Sequence, residues 1–295
     1  AYGTLTSSDE SRFQFGLLYT GSDDGTVYVS KNGGGDWKDL SASFPKDLWV
    51  SRVIASSHKK ERVYVTLNGY RWDDFTPYVY MSDTYGARWT NISNNLPLSP
   101  VNVIREDPSN PAILYLGTDN GAYVSFDTGG SWNAFQEGLP NVAVHDLAIQ
   151  AREKHLVVGT HGRSLYTADI SLLQDISEKT MNRLMLANIA SKRASHRWGS
   201  TGFNKYGAYE EPTVPLQIFA PTAGNAEIVV TSEAGAVLKS WKIALHKGVN
   251  QLAYNASISE KGKKQLEKKE VSSHTGANGT FYLPIGKYTV EVSLA

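Results

Sequence analysis

Short runs of β-branched and aromatic residues recur along the first 170 residues, and turns rich in Gly and Asp separate them. The clearest copies occupy residues 17–30 and 113–125, and looser copies occupy residues 63–82 and 156–166. Each copy has two apolar runs on either side of a Gly- or Asp-containing turn, which predicts a β-hairpin. A further short apolar run precedes each of the last three hairpins. The pattern therefore predicts repeated units of successive strands.

Three of the units continue into a second shared pattern, Ser-x-Asx-x-Gly-x-x-Trp, although the middle copy has Thr84 at the Asx position. In such a turn the Asx side chain accepts backbone hydrogen bonds, and Gly supplies a positive φ. The Trp is predicted to bury its ring between neighbouring sheets. We interpret the following residues as structural: Ser30, Asn32, Gly34 and Trp37; Ser82, Gly86 and Trp89; Ser125, Asp127, Gly129 and Trp132.

Four strands over about 44 residues is the repeat length of a β-propeller blade. The predicted blades lie near residues 2–41, 49–96, 100–139 and 142–170. Four blades are the fewest that close a ring, and the first blade begins directly on a strand. We therefore expect residues 1–175 to be the C-terminal part of a larger propeller, with the rest of that propeller as a partner.

The second part of the chain has a different charge and a different pattern. Residues 1–175 contain 14 basic and 20 acidic side chains, and the remainder contains 15 and 9. Residues 176–210 are predicted to be a linker with one short helix near 177–188, which Ser177 would cap. Short strands separated by turns then predict a β-sandwich over 211–295, with the Lys-rich stretch 260–279 as an exposed insertion. The predicted fold class is all-β.

Composition excludes several classes of function. Lys+Arg and Asp+Glu both total 29, so the chain lacks the basic balance of a nucleic-acid-binding protein. Cysteine is absent, which removes disulfides and thiolate chemistry. No run of about 18 apolar residues predicts a membrane span. The seven His are scattered, and nucleophile-elbow, phosphate-loop and His-Glu-x-x-His motifs are missing. We expect neither a metal nor a cofactor.

Five stretches together resemble one family, the large secreted bacterial BNR-repeat proteins that are often described as glycosyl hydrolases. Their propellers carry Asp boxes like the turns above and are related to those of sortilin-type receptors. The stretches are 21–25, 49–51, 73–80, 105–108 and 160–164. Residues 247–250 and 283–290 resemble the immunoglobulin-like accessory domain of exported bacterial proteins. The resemblance implies a multi-bladed propeller that is secreted, periplasmic or on the cell surface.

The resemblance leaves two classes of function open. Sortilin-type propellers bind peptides and proteins, whereas xyloglucan-cleaving enzymes with similar repeats use a pair of carboxylates. We favour a non-catalytic module that binds peptide, protein or glycan. The alternative is a glycoside hydrolase whose candidate catalytic residues are Asp73 and Asp74, since two carboxylates flank the bond in such enzymes.

Topology predicts where binding would occur. The turn between the second and third strands of every blade emerges at the same end of the ring, and binding residues usually lie on loops of a rigid scaffold. Asp-Gly and Asn-Gly pairs are also ordinary hairpin turns, so a purely structural interpretation of the turn residues stays open. The candidate binding residues are Asp23, Asp24, Trp72, Asp73, Asp74, Asp119, Asn120, His161 and Arg163.

Overall fold

Antiparallel strands make up nearly all of the regular structure of this protein. The computed structural model describes residues 3–135, 138–177, 180–201 and 206–294. The chain divides into two units, Ala1–Glu178 and Lys179–Ala295. The first unit contains four sheets whose strands pair in the order of the sequence, as the propeller prediction requires.

Three of these sheets have four strands and the last has three. Blade 1 contains β1 (Leu5–Glu10), β2 (Leu18–Ser22), β3 (Val27–Ser30) and β4 (Lys38–Asp39). Blade 2 contains β5 (Trp49–Ala55), β6 (Val63–Gly69), β7 (Asp74–Ser82) and β8 (Thr90–Asn91). Blade 3 contains β9 (Val101–Glu106), β10 (Leu114–Thr118), β11 (Gly121–Ser125) and β12 (Asn133–Ala134). Blade 4 contains β13 (Val144–Gln150), β14 (His155–Thr160) and β15 (Leu165–Asp169).

Apolar side chains from facing sheets form the cores between blades. Alternate residues of a strand point to opposite faces, so each middle strand serves two cores. In blade 2, Val63 and Val65 pack towards blade 1, whereas Tyr64 packs towards blade 3. All three side chains have no exposed surface. The near-continuous apolar runs of the middle strands therefore reflect burial on both faces.

The Ser-x-Asx-x-Gly-x-x-Trp turns connect the third and fourth strands, and their polar side chains are used locally. Ser125 Oγ accepts a hydrogen bond from the Gly129 amide at 2.8 Å. The Asp127 carboxylate accepts one from the Ser131 amide at 2.8 Å. In blade 2 the Thr84 hydroxyl takes the role of the carboxylate and accepts from the Arg88 amide at 2.9 Å. The turn needs an acceptor at this position, and a hydroxyl is sufficient.

The three Trp rings of these turns are not equally buried. Trp132 is 4% exposed, Trp89 is half-buried, and Trp37 is 44% exposed, so the prediction that all three are buried is wrong for Trp37. The ring centroid of Trp89 lies 4.9 Å from that of Phe44, which is in the segment between blades 1 and 2. Trp132 packs similarly against Ile92 after blade 2. Trp89 and Trp132 are thus covered by the preceding blade, whereas Trp37 belongs to the first of the described blades.

The helix predicted near 177–188 is not observed, although residues 178 and 179 lie outside the described ranges. A single helical turn, α1 (Ser171–Gln174), ends before it, and Met185–Leu186 forms a short strand, β16. Leu184 and Leu186 both pack into the core of the second unit. A spacing of two residues is typical of a strand. The apolar residues of this segment were also compatible with a helix, but pairing with another strand made it extended.

The second unit is a sandwich of two three-stranded sheets with a third small sheet beside it. The first sheet contains β16, β17 (Val214–Ala220) and β20 (Gly248–Tyr254). The second contains β18 (Gly224–Ser232), β19 (Val237–Leu245) and β24 (Tyr288–Leu294). The third contains β21 (Ser257–Ile258), β22 (His274–Thr275) and β23 (Phe281–Tyr282). Leu216, Ile218, Ile228 and Val230 are fully buried between the two larger sheets.

The Lys-rich stretch is not simply an exposed insertion, because it begins with the helix α2 (Glu260–Glu267). Ser259 caps this helix by accepting a hydrogen bond from the Gly262 amide at 3.0 Å. Leu266 is 4% exposed and packs with Leu238 of β19. Gly262 lies so close to the Leu238 carbonyl that a Cβ would not fit. The lysines form the solvated face of an amphipathic helix. Because charged residues dominate this stretch, its sequence pattern did not reveal the helix.

Candidate functional site

The turns between the second and third strands lie at one end of the first unit, together with the connections between blades. We call this end the rim and define it by the turns at 22–26, 69–74, 118–121 and 160–164. Three rim residues occupy equivalent positions, because the backbone amide of each donates to the carbonyl that precedes the first strand of its own blade. These bonds join Asp23 to Thr4 at 3.0 Å, Asp119 to Pro100 at 3.1 Å, and His161 to Ala143 at 2.9 Å.

The two carboxylates of the blade 1 turn are occupied by their own loop. Asp23 Oδ1 accepts from the amides of Gly3 and Thr4 at 2.8 and 2.9 Å, and these bonds hold the pKa of Asp23 below its ordinary value. Asp24 Oδ1 accepts from Ser22 Oγ and from the Thr26 amide at 3.1 Å. The hydrogen bond from Ser22 is the main cause of the lowered pKa of Asp24. Both groups are anionic and already fix the turn.

Blade 2 carries an insert with exposed aromatic rings between β6 and β7. Residues 70–72 form a 3₁₀ turn, and the side chains of Tyr70, Trp72 and Phe75 are 60%, 54% and 47% exposed. The Arg71 guanidinium lies 5.2 Å from the ring of Trp49, where β5 begins, and this cation–π contact fixes the insert to the rim. Apolar rings are therefore presented to solvent on a braced loop.

The two carboxylates of this insert have different environments. Asp73 is exposed and adopts a left-handed backbone conformation with φ 55°. Asp74 begins β7 and accepts from the Thr76 amide at 2.9 Å and from the Tyr78 hydroxyl at 2.8 Å. Burial acts to raise the pKa of Asp74, but the donors from Thr76 and Tyr78 outweigh it, and the pKa lies below its ordinary value. Asp74 is thus kept as a carboxylate.

At the blade 3 turn a chain of side-chain amides leads to the rim. Asn68 donates to Asn102 at 2.8 Å, and Asn102 donates to Asp119 Oδ1 at 2.8 Å. The chain joins blade 2 to blade 3, and Asn68 and Asn102 are buried. Asn120 is exposed, and its amide donates to Thr118 Oγ1 at 3.1 Å.

The blade 4 turn presents basic groups. The rings of His145 and His161 stack with centroids 5.0 Å apart, and both residues are exposed. Arg163 is also exposed, two residues further along the same turn. This part of the rim differs in charge from the acidic turns of blades 1 to 3.

A group of charged residues on the first strands of the blades was not predicted from the sequence. Asp146 Oδ1 lies 2.8 Å from the Arg52 guanidinium and 3.3 Å from that of Arg105, so one carboxylate joins blades 2, 3 and 4. Asp9 Oδ2 accepts from the Ala55 amide at 2.8 Å, and burial raises the pKa of Asp9. The available signal was that Arg52 and Asp146 interrupt otherwise apolar runs.

Within the described ranges, no helix is long and apolar enough to cross a membrane. In the same residues, no three His, Asp or Glu side chains gather closely enough to hold a metal ion.

The fold and the rim define a protein with four propeller-type blades and a separate β-sandwich. No protein-family model and no curated protein matches the sequence. Solved structures similar to the chain include a GH74 enzyme from Niastella koreensis, with 12% identity and a TM-score of 0.47 over 86% of this chain. The GH74 xyloglucanase from Xanthomonas campestris has 12% identity and a TM-score of 0.46 over 92% of this chain. The chain spans 38% and 41% of the lengths of these two enzymes.

Proposed function

We propose that the rim is a non-catalytic binding surface for a peptide, protein or glycan. The observation that carries the proposal is the exposure of Tyr70 and Trp72 in the insert and of Phe75 beside it at the start of β7. An aromatic ring that stays in solvent does not gain the favourable free energy of burial. It gains this free energy when it stacks on a sugar or fills a pocket of a partner. The insert is braced against Trp49, so little conformational freedom is lost when a ligand binds.

The chemistry of the insert favours binding over hydrolysis of a glycosidic bond. Such hydrolysis requires one carboxyl group with a raised pKa as the acid, beside a second one that is ionised. The pKa of Asp74 is lowered by its donors, which suits a base or a nucleophile and not an acid. The glycoside hydrolase, with Asp73 and Asp74 as its pair, is the rival hypothesis.

The proposal includes an exported location, whether secreted, periplasmic or on the cell surface, and an accessory role for the sandwich. Both follow from the resemblance to BNR-repeat proteins and their immunoglobulin-like domains. Cell fractionation of the source organism with an antibody to the chain tests the location.

Binding is tested by titrating the chain against immobilised glycans and peptides, with Trp72→Ala as the rim variant. Phe15→Ala is the matched control, because Phe15 is 94% exposed and lies in the turn between β1 and β2, at the opposite end of the blade. We expect Trp72→Ala to weaken binding roughly tenfold or more, as loss of a central aromatic anchor does. Equal affinities for Trp72→Ala and the unchanged chain would refute the rim as the site.

Turnover is tested separately on the same glycans with Asp73→Asn/Asp74→Asn. Release of reducing ends by the unchanged chain that this double variant abolishes would support the hydrolase. Retained binding with no release by either protein supports the binding module.

A further inference from the structure

The blades repeat the same contacts, so the face that each blade turns towards its predecessor can be compared position by position. The register of pairing aligns Leu18 of blade 1 with Val63, Leu114 and Leu156 of the later blades. The three later residues have no exposed surface, and Val63 and Leu114 pack into cores shared with the preceding blade. Leu18 is half-buried. We call the blade 1 surface formed by Ser8, Glu10, Leu18, Thr20, Gly34 and Trp37 the entry face.

In the turns of blades 2 and 3, an aliphatic side chain of the preceding blade packs directly against the glycine of the Ser-x-Asx-x-Gly-x-x-Trp pattern. We call the space beside this glycine the seat. A Cβ on Gly86 would collide with Leu40, which follows the fourth strand of blade 1. A Cβ on Gly129 would lie 2.7 Å from Ile92, which follows the fourth strand of blade 2. At Gly34 the neighbours within 4 Å, among the described residues, are atoms of Trp37 alone. The blade 1 seat is therefore open.

The Trp beside the seat shows the same contrast. In blade 3, Trp132 Nε1 donates to the Ile92 carbonyl at 2.7 Å, and its backbone exchanges hydrogen bonds with the Asn95 side chain. Trp37 occupies the equivalent position in blade 1 and is 44% exposed. A shallow pocket of about 300 Å³ lies beside it, between Glu10, Leu18 and Thr20.

A carboxylate on the same face follows the pattern. Glu106 pairs with Leu114 as Glu10 pairs with Leu18. Glu106 is 9% exposed and accepts from Ser56 Oγ and the Tyr64 hydroxyl of blade 2 at 2.8 and 3.0 Å. Glu10 is exposed and accepts a hydrogen bond from the amide of Gly16 in its own turn, at 2.8 Å. The entry face thus has both the apolar and the polar positions of an interface between blades.

We propose that the entry face docks one further four-stranded blade of this repeat. Its fourth strand must be followed by an aliphatic residue that sits on Gly34 and whose carbonyl accepts from the Trp37 indole. A second copy of this chain does not meet the requirement, since blade 4 has three strands and ends at Asp169.

The test adds such a blade to the full chain. Residues 49–98 are duplicated directly before residue 3, because Thr4 and Pro100 occupy equivalent positions at the starts of their blades. The extended chain should show a higher Tm and less acrylamide quenching of Trp37, measured as the difference from the Trp37→Phe variant. The control is the same extension with Ile92→Asp in the added copy, which should lose both effects.

A variant of the unextended chain tests the same idea without a fusion. Leu18→Ser/Trp37→Ser should leave the Tm nearly unchanged, whereas the matched pair Leu114→Ser/Trp132→Ser should lower it strongly. Equal losses would mean that the entry face is already covered, and would overturn the proposal. An extension that fails to fold, or that protects Trp37 equally with Ile92→Asp, would also overturn it. So would a dimer of the unextended chain in which Trp37 is protected.

Discussion

The sharpest prediction about stability compares Trp132 with Trp72. Trp132 is 4% exposed and donates from its indole to the buried Ile92 carbonyl, so Trp132→Ala removes a ring, opens a cavity and leaves that acceptor unpaired. Truncation of a buried Trp costs roughly 3–5 kcal/mol. In a domain of this size each kcal/mol shifts the Tm by about 2–4 °C, so the Tm should fall by at least about 6 °C.

Trp72→Ala is the matched comparison, because the same atoms are removed from a ring that is 54% exposed. Surface substitutions usually stay within about 0.5 kcal/mol, which is less than about 2 °C here. Calorimetry of both variants measures the difference, with circular dichroism at low temperature as a check that each is folded. Similar shifts for the two variants would refute the assignment of Trp132 to a core between blades and of Trp72 to the surface.

Three further predictions follow from single contacts. Glu106→Ala leaves buried hydroxyls of blade 2 without an acceptor and should cost about 1–3 kcal/mol, whereas Glu10→Ala should cost far less in a urea titration. Ser259→Ala removes the cap of α2 and should lower the stability of the second unit by about 1 kcal/mol, measured in the same way. Burial raises the pKa of Asp9, so its charge opposes folding above that pKa and has no effect below 3.8. Asp9→Asn should therefore stabilise the protein at pH 7 and not at pH 3, and an equal change at both pH values would contradict the argument.

The blades were predictable because local chemistry and packing agree in them. The Gly and Asx residues between two strands favour a tight turn, which brings the strands together to pair. The repeated Trp marks where the fourth strand begins, so the local and the global preferences agree. The predicted blade near 49–96 and the observed strands β5 to β8 coincide for this reason. The sandwich strands were visible by the same alternation of apolar positions.

The errors lie where local pattern and packing disagree. Met185 and Leu186 form a two-residue strand whose formation depends on β17, a partner about 30 residues away in the sequence. The helix α2 was concealed because its lysines dominate the composition, while its buried face needs only Leu266 and Gly262. Periodicity cannot detect a face of two residues.

The exposure of Trp37 and the charged group around Asp146 were beyond the sequence for a different reason. The burial of Trp37 depends on what lies beside the blade, and its own turn is the same as that of Trp132. Asp146 meets Arg52 from a strand 94 residues away, across two blades. Contacts at such separations follow from the order of the blades, which a repeat predicts only in outline.

The repeats also separate structural residues from candidates for function. Thr84 replaces Asx in the middle turn, and the hydrogen bond to the backbone is kept. The turn therefore requires a side-chain acceptor at this position and does not require a charge. Asp23 and Asp119 likewise have hydrogen-bond partners in their own blades, so a structural role in the turns accounts for both carboxylates. The insert of blade 2 departs from the repeat: Asp74 has partners close to it in the chain, but the repeat does not account for the exposed ring of Trp72. The insert lengthens a turn that two residues close in blade 3, and it places Trp72 in solvent. A repeat makes such a departure visible, and a departure that costs hydrophobic burial is the best reason to look for a ligand there.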